Sequence, residues 1–209
     1  MRLGHARRRV IGVVSFDPSA YEDLRDDPSA TAPAIAVVVV ATLLAALGGL
    51  LWALIAASPP EIYDVDIGHF ITRSVVLGSI LQVAFWFAWV GMTWFYLTKV
   101  FLLPEVRFEQ LIRTMGFAFV PMALQVLLFI PVLEFPIGLT AIGATVGCSV
   151  LATRAASGAT PGQALLSTVV GFALFALAMG MLGNSDNDMA PGIFALDPNA
   201  ISVYLQLDR

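Results

Sequence analysis

The sequence carries few side chains that could perform chemistry, and their spacing keeps them apart. Its two histidines, His5 and His69, flank the first long apolar stretch, so a membrane crossing separates them and they cannot share a metal ion. The single cysteine, Cys148, and its neighbour Ser149 lie in another apolar stretch that offers no histidine or carboxylate to activate a nucleophile. No Walker, G-x-S-x-G or H-E-x-x-H motif is present. These residues predict no catalytic residue, no metal site and no cofactor.

The composition places the chain in a lipid bilayer. Of its 209 residues 58% are hydrophobic and only 12% are charged, which is far from the balance of a soluble domain. Five uncharged stretches reach the roughly 20 residues that a helix needs to cross the hydrocarbon core. They are residues 34–57, 74–98, 114–133, 135–153 and, approximately, 164–183. None alternates with a period of two, so the predicted fold is all-α, a polytopic membrane bundle of five transmembrane helices.

The basic residues predict the orientation of the bundle. Most of the 11 lysines and arginines lie before the first stretch, between the second and third, or between the fourth and fifth. Basic residues remain on the cytoplasmic side, so the N-terminus is expected in the cytoplasm and the C-terminus outside the cell membrane. The chain then divides into a cytoplasmic segment, 1–33, a membrane domain, 34–183, and an extracytoplasmic tail, 184–209. Within the tail, residues 201–207 alternate as in a strand.

A short amphipathic helix is predicted before the first membrane span. Asp17 can cap a helix that begins at Pro18, and Pro28 ends it. Tyr21 and Leu24 share one face of this helix, and acidic residues occupy the other. A solvated lead-in helix is the favoured interpretation, although such a helix could also lie along the membrane surface or dock on the loops.

Two prolines interrupt the third apolar stretch. Pro121 has no N–H group and displaces the carbonyl of Phe117, so it breaks a helix where no water can replace the lost hydrogen bond. Together with Pro131 it predicts hinges in this span. The fourth stretch is rich in small residues and contains the GxxxG pair Gly143 and Gly147, which either allows close helix packing or arises by chance. We expect the fourth span to be the central helix.

Two glutamines occupy matching depths in neighbouring antiparallel spans. Gln82 lies nine positions after Arg73, and Gln125 lies nine positions before Glu134. A buried amide needs a partner in lipid, so the sequence predicts a hydrogen bond between Gln82 and Gln125, worth roughly 0.6 to 2 kcal/mol. Because no ionisable residue accompanies them, structural packing is favoured over a role in transport.

The second apolar stretch is rich in aromatic residues at helical spacing. Phe85, Trp89, Met92 and Tyr96 recur along one face, and they could line a site for a pigment, a quinone or a lipid. Packing in the core or against lipid is the favoured interpretation. The aromatic residues at the end of this stretch also match the belt expected at a membrane interface.

Three segments resemble the Yip1 family of five-span membrane proteins, particularly its small prokaryotic branch. They are "FDPSAYEDLRDDP", "FEQLIRTMGFAFVP" with Gly116, Phe117 and Pro121, and "ATRAASGATPGQALLSTVV". The resemblance implies a non-enzymatic membrane protein, and Gly116 joins the predicted hinge. Eukaryotic members bind small GTPases through a cytosolic N-terminal domain and assemble with relatives. The Asp-Leu-Tyr-Gly-Pro stretch of those members is absent here, and the N-terminal segment has only about 33 residues.

Three functional hypotheses remain open. The first is a scaffold or adaptor whose partners are the lipid bilayer and other membrane proteins or a second copy, and not nucleic acid. The second is an accessory subunit of a larger bioenergetic or photosynthetic complex. The third is a small permease or channel, which requires a polar track, for which the sequence offers mainly Gln82, Thr93 and Gln125.

Overall fold

Five long helices and one short helix make up most of the part of the chain that the structure describes. The computed structural model describes residues 11–13, 15–55, 66–183 and 189–196, which form helices and turns with no strand among them. The short helix α1 is Pro18–Asp26. The long helices are α2, Thr31–Ile55; α3, Ile67–Val100; α4, Phe108–Leu127; α5, Glu134–Ser157; and α6, Pro161–Leu182. Each of the five long helices is long and apolar enough to cross a membrane, which confirms the predicted multi-pass all-α bundle.

Successive long helices run in opposite directions, so the bundle has two distinct ends. The proximal end contains α1 and the connections 101–107 and 158–160. The distal end contains the turn 128–133 and the segment 189–196. Because there are five crossings, the N-terminal and C-terminal parts of the described chain lie at opposite ends. His5 and the strand-like pattern at 201–207 lie outside the described residues.

The central helix is α4, so the prediction that the fourth span is central is wrong. Helix α4 contacts α1, α2, α3 and α5, and 61% of its most apolar window is buried, against 28% to 44% in the other spans. Large side chains of α4 fill the core, among them Leu111, Met115, Phe117 and Phe119. Helix α5 packs against α1, α4 and α6, and only 33% of its most apolar window is buried.

Pro121 divides α4 into two kinds of helix, as the sequence predicts for a break at this position. Residues Phe108–Ala118 are α-helical, and Val120–Leu127 form a 3₁₀-helix with Pro121 in its first turn. In a 3₁₀-helix each N–H donates to the carbonyl three positions earlier, and the Met122 N–H donates to the Phe119 carbonyl at 3.0 Å. Backbone groups after the proline are thus hydrogen-bonded within the helix.

The third span is displaced by about six residues from the predicted stretch 114–133. It starts at Phe108 because the half-polar first turns, which include Glu109 and Arg113, are part of the helix. It ends at Leu127, so Pro131 lies exposed in the turn 128–133 rather than within a helix. The prediction of a second kink inside this span is therefore wrong.

Helix α3 departs from α geometry at both ends. Residues Ile71–Leu77 and Tyr96–Val100 are π-helical, and the Gly78 N–H donates to the carbonyl of Arg73, five positions earlier. Such wider turns are uncommon and occur often beside functional sites. The distal π-helical turn packs against α2.

Candidate functional site

The distal end of the bundle is closed by residues 189–196, here called the C-terminal segment. The Ser74 hydroxyl of α3 donates to the Ala190 carbonyl at 2.7 Å, and the Ile193 N–H donates to the Gln125 Oε1 of α4 at 3.0 Å. Phe194 packs edge-on against Phe175 of α6, with 6.3 Å between the ring centroids. Backbone groups of an irregular segment thus find partners inside the apolar bundle, which they need because lipid offers none.

Four glycines, three within helices α2, α3 and α5 and one directly after α6, make room for the C-terminal segment. A Cβ atom on Gly78 would lie 3.2 Å from the Ala190 backbone, and one on Gly49 would lie 3.4 Å from the Gly192 nitrogen. A Cβ atom on Gly138 would overlap the Ile193 side chain, and one on Gly183 would overlap the Phe194 carbonyl. The segment therefore lies in a seat shaped by glycines at the distal ends of α2, α3, α5 and α6.

Gly192 is required by the geometry of this seat. Its φ angle is +64°, in the left-handed region that residues with a side chain rarely adopt. A Cβ atom here would also overlap Gln125 Oε1 and lie 3.1 Å from Ala45 Cβ. The backbone of Gly192 can therefore approach the buried amide of Gln125 only without a side chain.

The predicted hydrogen bond between Gln82 and Gln125 is wrong. The Gln82 amide nitrogen donates to Thr42 Oγ1 at 3.3 Å, and the Gln125 amide nitrogen donates to Met122 Sδ at 3.1 Å. The side-chain oxygen of Gln125, Oε1, accepts a hydrogen bond from the C-terminal segment. Both amides are buried, but neither bonds to the other glutamine. A matching depth does not determine which face of its helix a side chain occupies.

Close helix approach occurs at glycines other than the GxxxG pair. A Cβ atom on Gly116 would lie 2.8 Å from Ala34 Cβ, and one on Gly48 would overlap the backbone carbonyl of Gln125. Helices α2 and α4 therefore approach closely at Gly48 and at Gly116. By contrast, among the described residues no atom lies within 4 Å of a Cβ on Gly143, and only the Phe16 ring, at 3.6 Å, approaches Gly147. Gly116 is thus a packing residue, and the role of Gly143 in association with a partner remains a prediction.

At the proximal end, Arg113 of α4 fastens the N-terminal helix α1. Its Nη1 donates to the Arg25 carbonyl at 2.8 Å, and its Nε donates to Thr31 Oγ1 at 2.9 Å. The Arg25 guanidinium donates in turn to the Ala155 carbonyl of α5 at 3.2 Å. Its hydrogen-bonded pairing with Asp26 raises the pKa of Arg25 and lowers the pKa of the Asp26 carboxyl. Helix α1 therefore docks onto the bundle, and docking is one of the placements considered from the sequence.

The apolar face of α1 is sealed against α4 and α5. Asp17 caps α1 through the Ser19 N–H and Pro18 begins it, as predicted, while Tyr21 and Leu24 are fully buried. The Tyr21 hydroxyl donates to the Val13 carbonyl at 3.3 Å, and burial raises the pKa of Tyr21 far above its usual range. The same contact buries Cys148 completely, as expected for a small packing residue.

The described residues assemble little that could perform catalysis. They contain no group of three or more His, Cys, Asp or Glu side chains that could hold a metal ion. Ser149 Oγ is buried without a hydrogen-bond partner, so no base in the described part of the chain activates it. Glu134 is the buried first residue of α5.

The aromatic residues of α3 belong mainly to the core. Trp89 Nε1 donates to the Thr168 carbonyl of α6 at 3.0 Å, and its ring packs edge-on against Phe172 with 5.3 Å between centroids. Trp86 packs edge-on against Phe119 of α4 with 6.5 Å between centroids. Packing, the favoured interpretation of this stretch, therefore accounts for Trp89.

The C-terminal segment is the feature that sequence reasoning missed, since the whole tail was assigned to the extracytoplasmic space. Its signals were Pro191 followed by Gly192, which is typical of a tight turn, and a glycine near the distal end of several spans. These signals give no distances between helices, so they could not show that the glycines face one segment.

Comparison with known proteins identifies the family. A family model described as Yip1 domain matches residues 11–183, well over half of the 209 residues. No curated protein and no solved structure matches the chain. The matched range includes docked helix α1 and all five spans, and it ends at Gly183, before the C-terminal segment. The chain is a multi-pass membrane protein that belongs to the Yip1 family.

Proposed function

We propose that this protein is a non-enzymatic membrane scaffold or adaptor that associates with itself or with other membrane proteins through the outer face of α5. The observation that carries this proposal is the open space beside Gly143. Gly143 is exposed in the middle of a span, with no described atom within 4 Å of a Cβ position, whereas Gly116 and Gly171 press against neighbouring helices. An exposed glycine inside lipid allows a partner helix to approach closely.

The outer face of α5 has the further properties of a helix interface. Leu139, one turn before Gly143, is 57% exposed, and a shallow groove of about 180 Å³ lies beside it between α4 and α5. Leu127, Pro136 and Thr140 are among the residues that line this groove. A partner helix placed over Gly143 could insert a side chain there, which would add packing area to the contact.

The buried polar groups support a scaffold rather than a permease. Gln82 donates to Thr42, and the Thr168 hydroxyl donates to Thr153 Oγ1 at 2.9 Å. The Thr93 hydroxyl donates to the Trp89 carbonyl in the preceding turn at 3.0 Å. The first two bonds join neighbouring helices and the third lies within α3, so these polar groups are engaged in packing.

The proposal includes the orientation that the basic residues predict. With the N-terminus in the cytoplasm, the proximal end presents the exposed acidic residues Glu22 and Asp23 of α1 to cytoplasmic partners. The C-terminal segment then closes the extracytoplasmic end in the cell membrane. This division follows the predicted segments 1–33, 34–183 and 184–209, except that part of the last segment lies within the bundle.

Crosslinking in native membranes followed by mass spectrometry tests the proposal. We expect Gly143→Leu to abolish a defined set of crosslinks, because a leucine side chain holds a partner helix away. Gly91→Leu is the matched control, since Gly91 also lies in a span with nothing within 4 Å of a Cβ position. Unchanged crosslinks in Gly143→Leu, or equal losses in both variants, contradict the proposed interface.

A truncation separates the contribution of the tail from that of α5. A chain ending after Leu196 retains the seated C-terminal segment, so the bundle itself is preserved. If the tail provides the partner site, this truncation removes the crosslinks while Gly143→Leu retains them. The reverse result assigns the interface to α5.

A further inference from the structure

A second open feature lies on the opposite part of the bundle, between α2 and α3. The two helices enclose a groove with a volume of about 440 Å³, which is within the range of small-molecule sites. Its walls are aliphatic and include Val39, Leu43, Val76 and Ile80, while the hydroxyl residues Thr42 and Ser79 also line it. A mainly apolar groove with a few polar groups is typical of a site that fixes the orientation of a ligand.

Ser79 has a hydroxyl group that the protein leaves without a partner. The residue is only 7% exposed, and its Oγ is buried with no hydrogen-bond partner. Hydroxyl residues in helices usually donate to the carbonyl one turn earlier, and Thr98 and Thr145 do so here at 2.9 and 2.7 Å. Thr42 already accepts from Gln82, so Ser79 is the hydroxyl residue of this groove whose oxygen takes part in no hydrogen bond.

The backbone beside Ser79 is unusual as well. The π-helical turn Ile71–Leu77 ends just before it and contributes Val76 to the groove. An extra residue in one turn shifts the helix faces that follow, which directs Ser79 toward the groove. π-Helical turns occur frequently at functional sites.

We infer that this groove binds one acyl chain of a membrane lipid, whose ester carbonyl accepts a hydrogen bond from Ser79. The groove lies within two membrane spans, so acyl chains are the molecules that meet its aliphatic walls. Ser79 is six positions from Arg73, or about 9 Å along the helix, inside a leaflet about 15 Å deep. The site therefore takes a lipid of the distal leaflet, and the ester is the acceptor such a lipid carries nearest that depth.

The lining of the groove favours a lipid over a helix from a second copy. Helix contacts in membranes depend on small residues that let two backbones approach. This groove has no glycine or alanine in its lining, and its rim residues Leu43 and Ile80 project into the bilayer. A flexible chain can follow such a surface, whereas a helix backbone is held away from it.

Native mass spectrometry of protein purified in mild detergent tests the inference. We expect one phospholipid to remain bound to the wild-type chain, and Ser79→Ala to lower the retained fraction about five- to tenfold. Ser79→Phe fills the groove and should abolish retention. Ser149→Ala is the matched control, because its hydroxyl is also buried without a partner but lies on α5. Thermal unfolding in the same detergent verifies that each variant is folded.

Labelling in a bilayer provides the second measurement. The variants are reconstituted in nanodiscs of phosphatidylethanolamine and phosphatidylglycerol that contain a phosphatidylglycerol with a diazirine in its acyl chain. Labelling of residues 74–99 should fall in Ser79→Phe and stay unchanged in Ser149→Ala. Equal retention and labelling in all variants overturns the inference, as does a lipid-free dimer that Ser79→Phe dissociates.

Discussion

The two ends of the bundle are each closed by a chain segment, but the segments are held by different physics. At the proximal end, α1 is fastened by the guanidinium groups of Arg113 and Arg25, which donate to backbone carbonyls near the membrane surface. At the distal end, the C-terminal segment is seated against glycines and accepts its key hydrogen bond from inside the bundle, through Ser74, while donating to Gln125.

This difference follows from what surrounds each segment. Charged side chains remain hydrated near an interface and can form several bonds at once, so the proximal closure adds polar bonds, which depend on ionic conditions, to the buried apolar face of α1. An irregular backbone that enters an apolar bundle must have every group satisfied and must fit closely, so the distal closure depends on side-chain volume. Substitutions that add side-chain volume should therefore weaken the distal closure, and substitutions that remove a charge should weaken the proximal closure.

The largest effect is expected from Gly192→Val. The substitution combines left-handed backbone strain with an overlap on Gln125, so we expect a loss of about 3 kcal/mol and release of the C-terminal segment. Labelling of a cysteine introduced at Phe194 with a membrane-impermeant maleimide, in a Cys148→Ala background, measures the release. Gly91→Val, which adds the same side chain without strain or contact, should leave the labelling low. Equal labelling in both variants would show that the seat tolerates volume.

The next largest effect is expected from replacing the two buried glutamines, which should lower the free energy of unfolding by different amounts. Gln125→Leu leaves the Ile193 N–H without an acceptor and should cost about 1 to 3 kcal/mol of unfolding free energy. Gln82→Leu removes a bond between two side chains and should cost only about 0.6 kcal/mol. Steric-trap unfolding in bicelles measures both. Equal losses would mean that the C-terminal segment draws no stability from Gln125.

A smaller effect is expected at the proximal end from Arg113→Ala. The variant loses two hydrogen bonds to α1 and Thr31, so the docking of α1 should weaken by about 1 to 2 kcal/mol while the C-terminal segment is unaffected. Hydrogen exchange of residues 18–26 and 189–196 measures both ends together. Arg113→Lys keeps the charge but loses the fork of donors, and it should restore the docking only in part. Faster exchange at both ends would contradict their independence.

The smallest effect concerns the exposed ion pair of Arg25 and Asp26, whose nitrogen and oxygen are 2.7 Å apart. Arg25 lowers the pKa of the Asp26 carboxyl below its usual 3.8, so the stabilisation is present at neutral pH and declines as the pH falls below that value. Exchange of residues 18–26 should therefore accelerate below pH 3.8. Asp26→Asn should remove this dependence and change exchange little at neutral pH, because the pair is exposed and screened by salt. An identical acid response in both proteins would assign it to another carboxyl group.

The spans and the cap of α1 could be predicted because each depends on local sequence. Apolar length alone determines that a helix crosses lipid, and Asp17 followed by Pro18 marks a helix start in any setting. The break at Pro121 was predictable for the same reason, since proline acts on its own backbone.

The contacts between helices could not be predicted from local sequence. Gln82 and Gln125 matched in depth, but the rotation of each helix decided their partners. The GxxxG pattern of α5 gave no sign that Gly48 and Gly116 would make the close approach instead. The position of a glycine is local, whereas the surface it faces depends on all the other helices.

The order of synthesis gives the seated C-terminal segment one more consequence. It is the last described part of the chain to leave the ribosome, so α2 to α6 enter the membrane while its seat is empty and Gln125 lacks the Ile193 N–H. A chain that ends before residue 189 would leave this seat unfilled. Seating of residues 189–196 therefore follows the synthesis of all five spans.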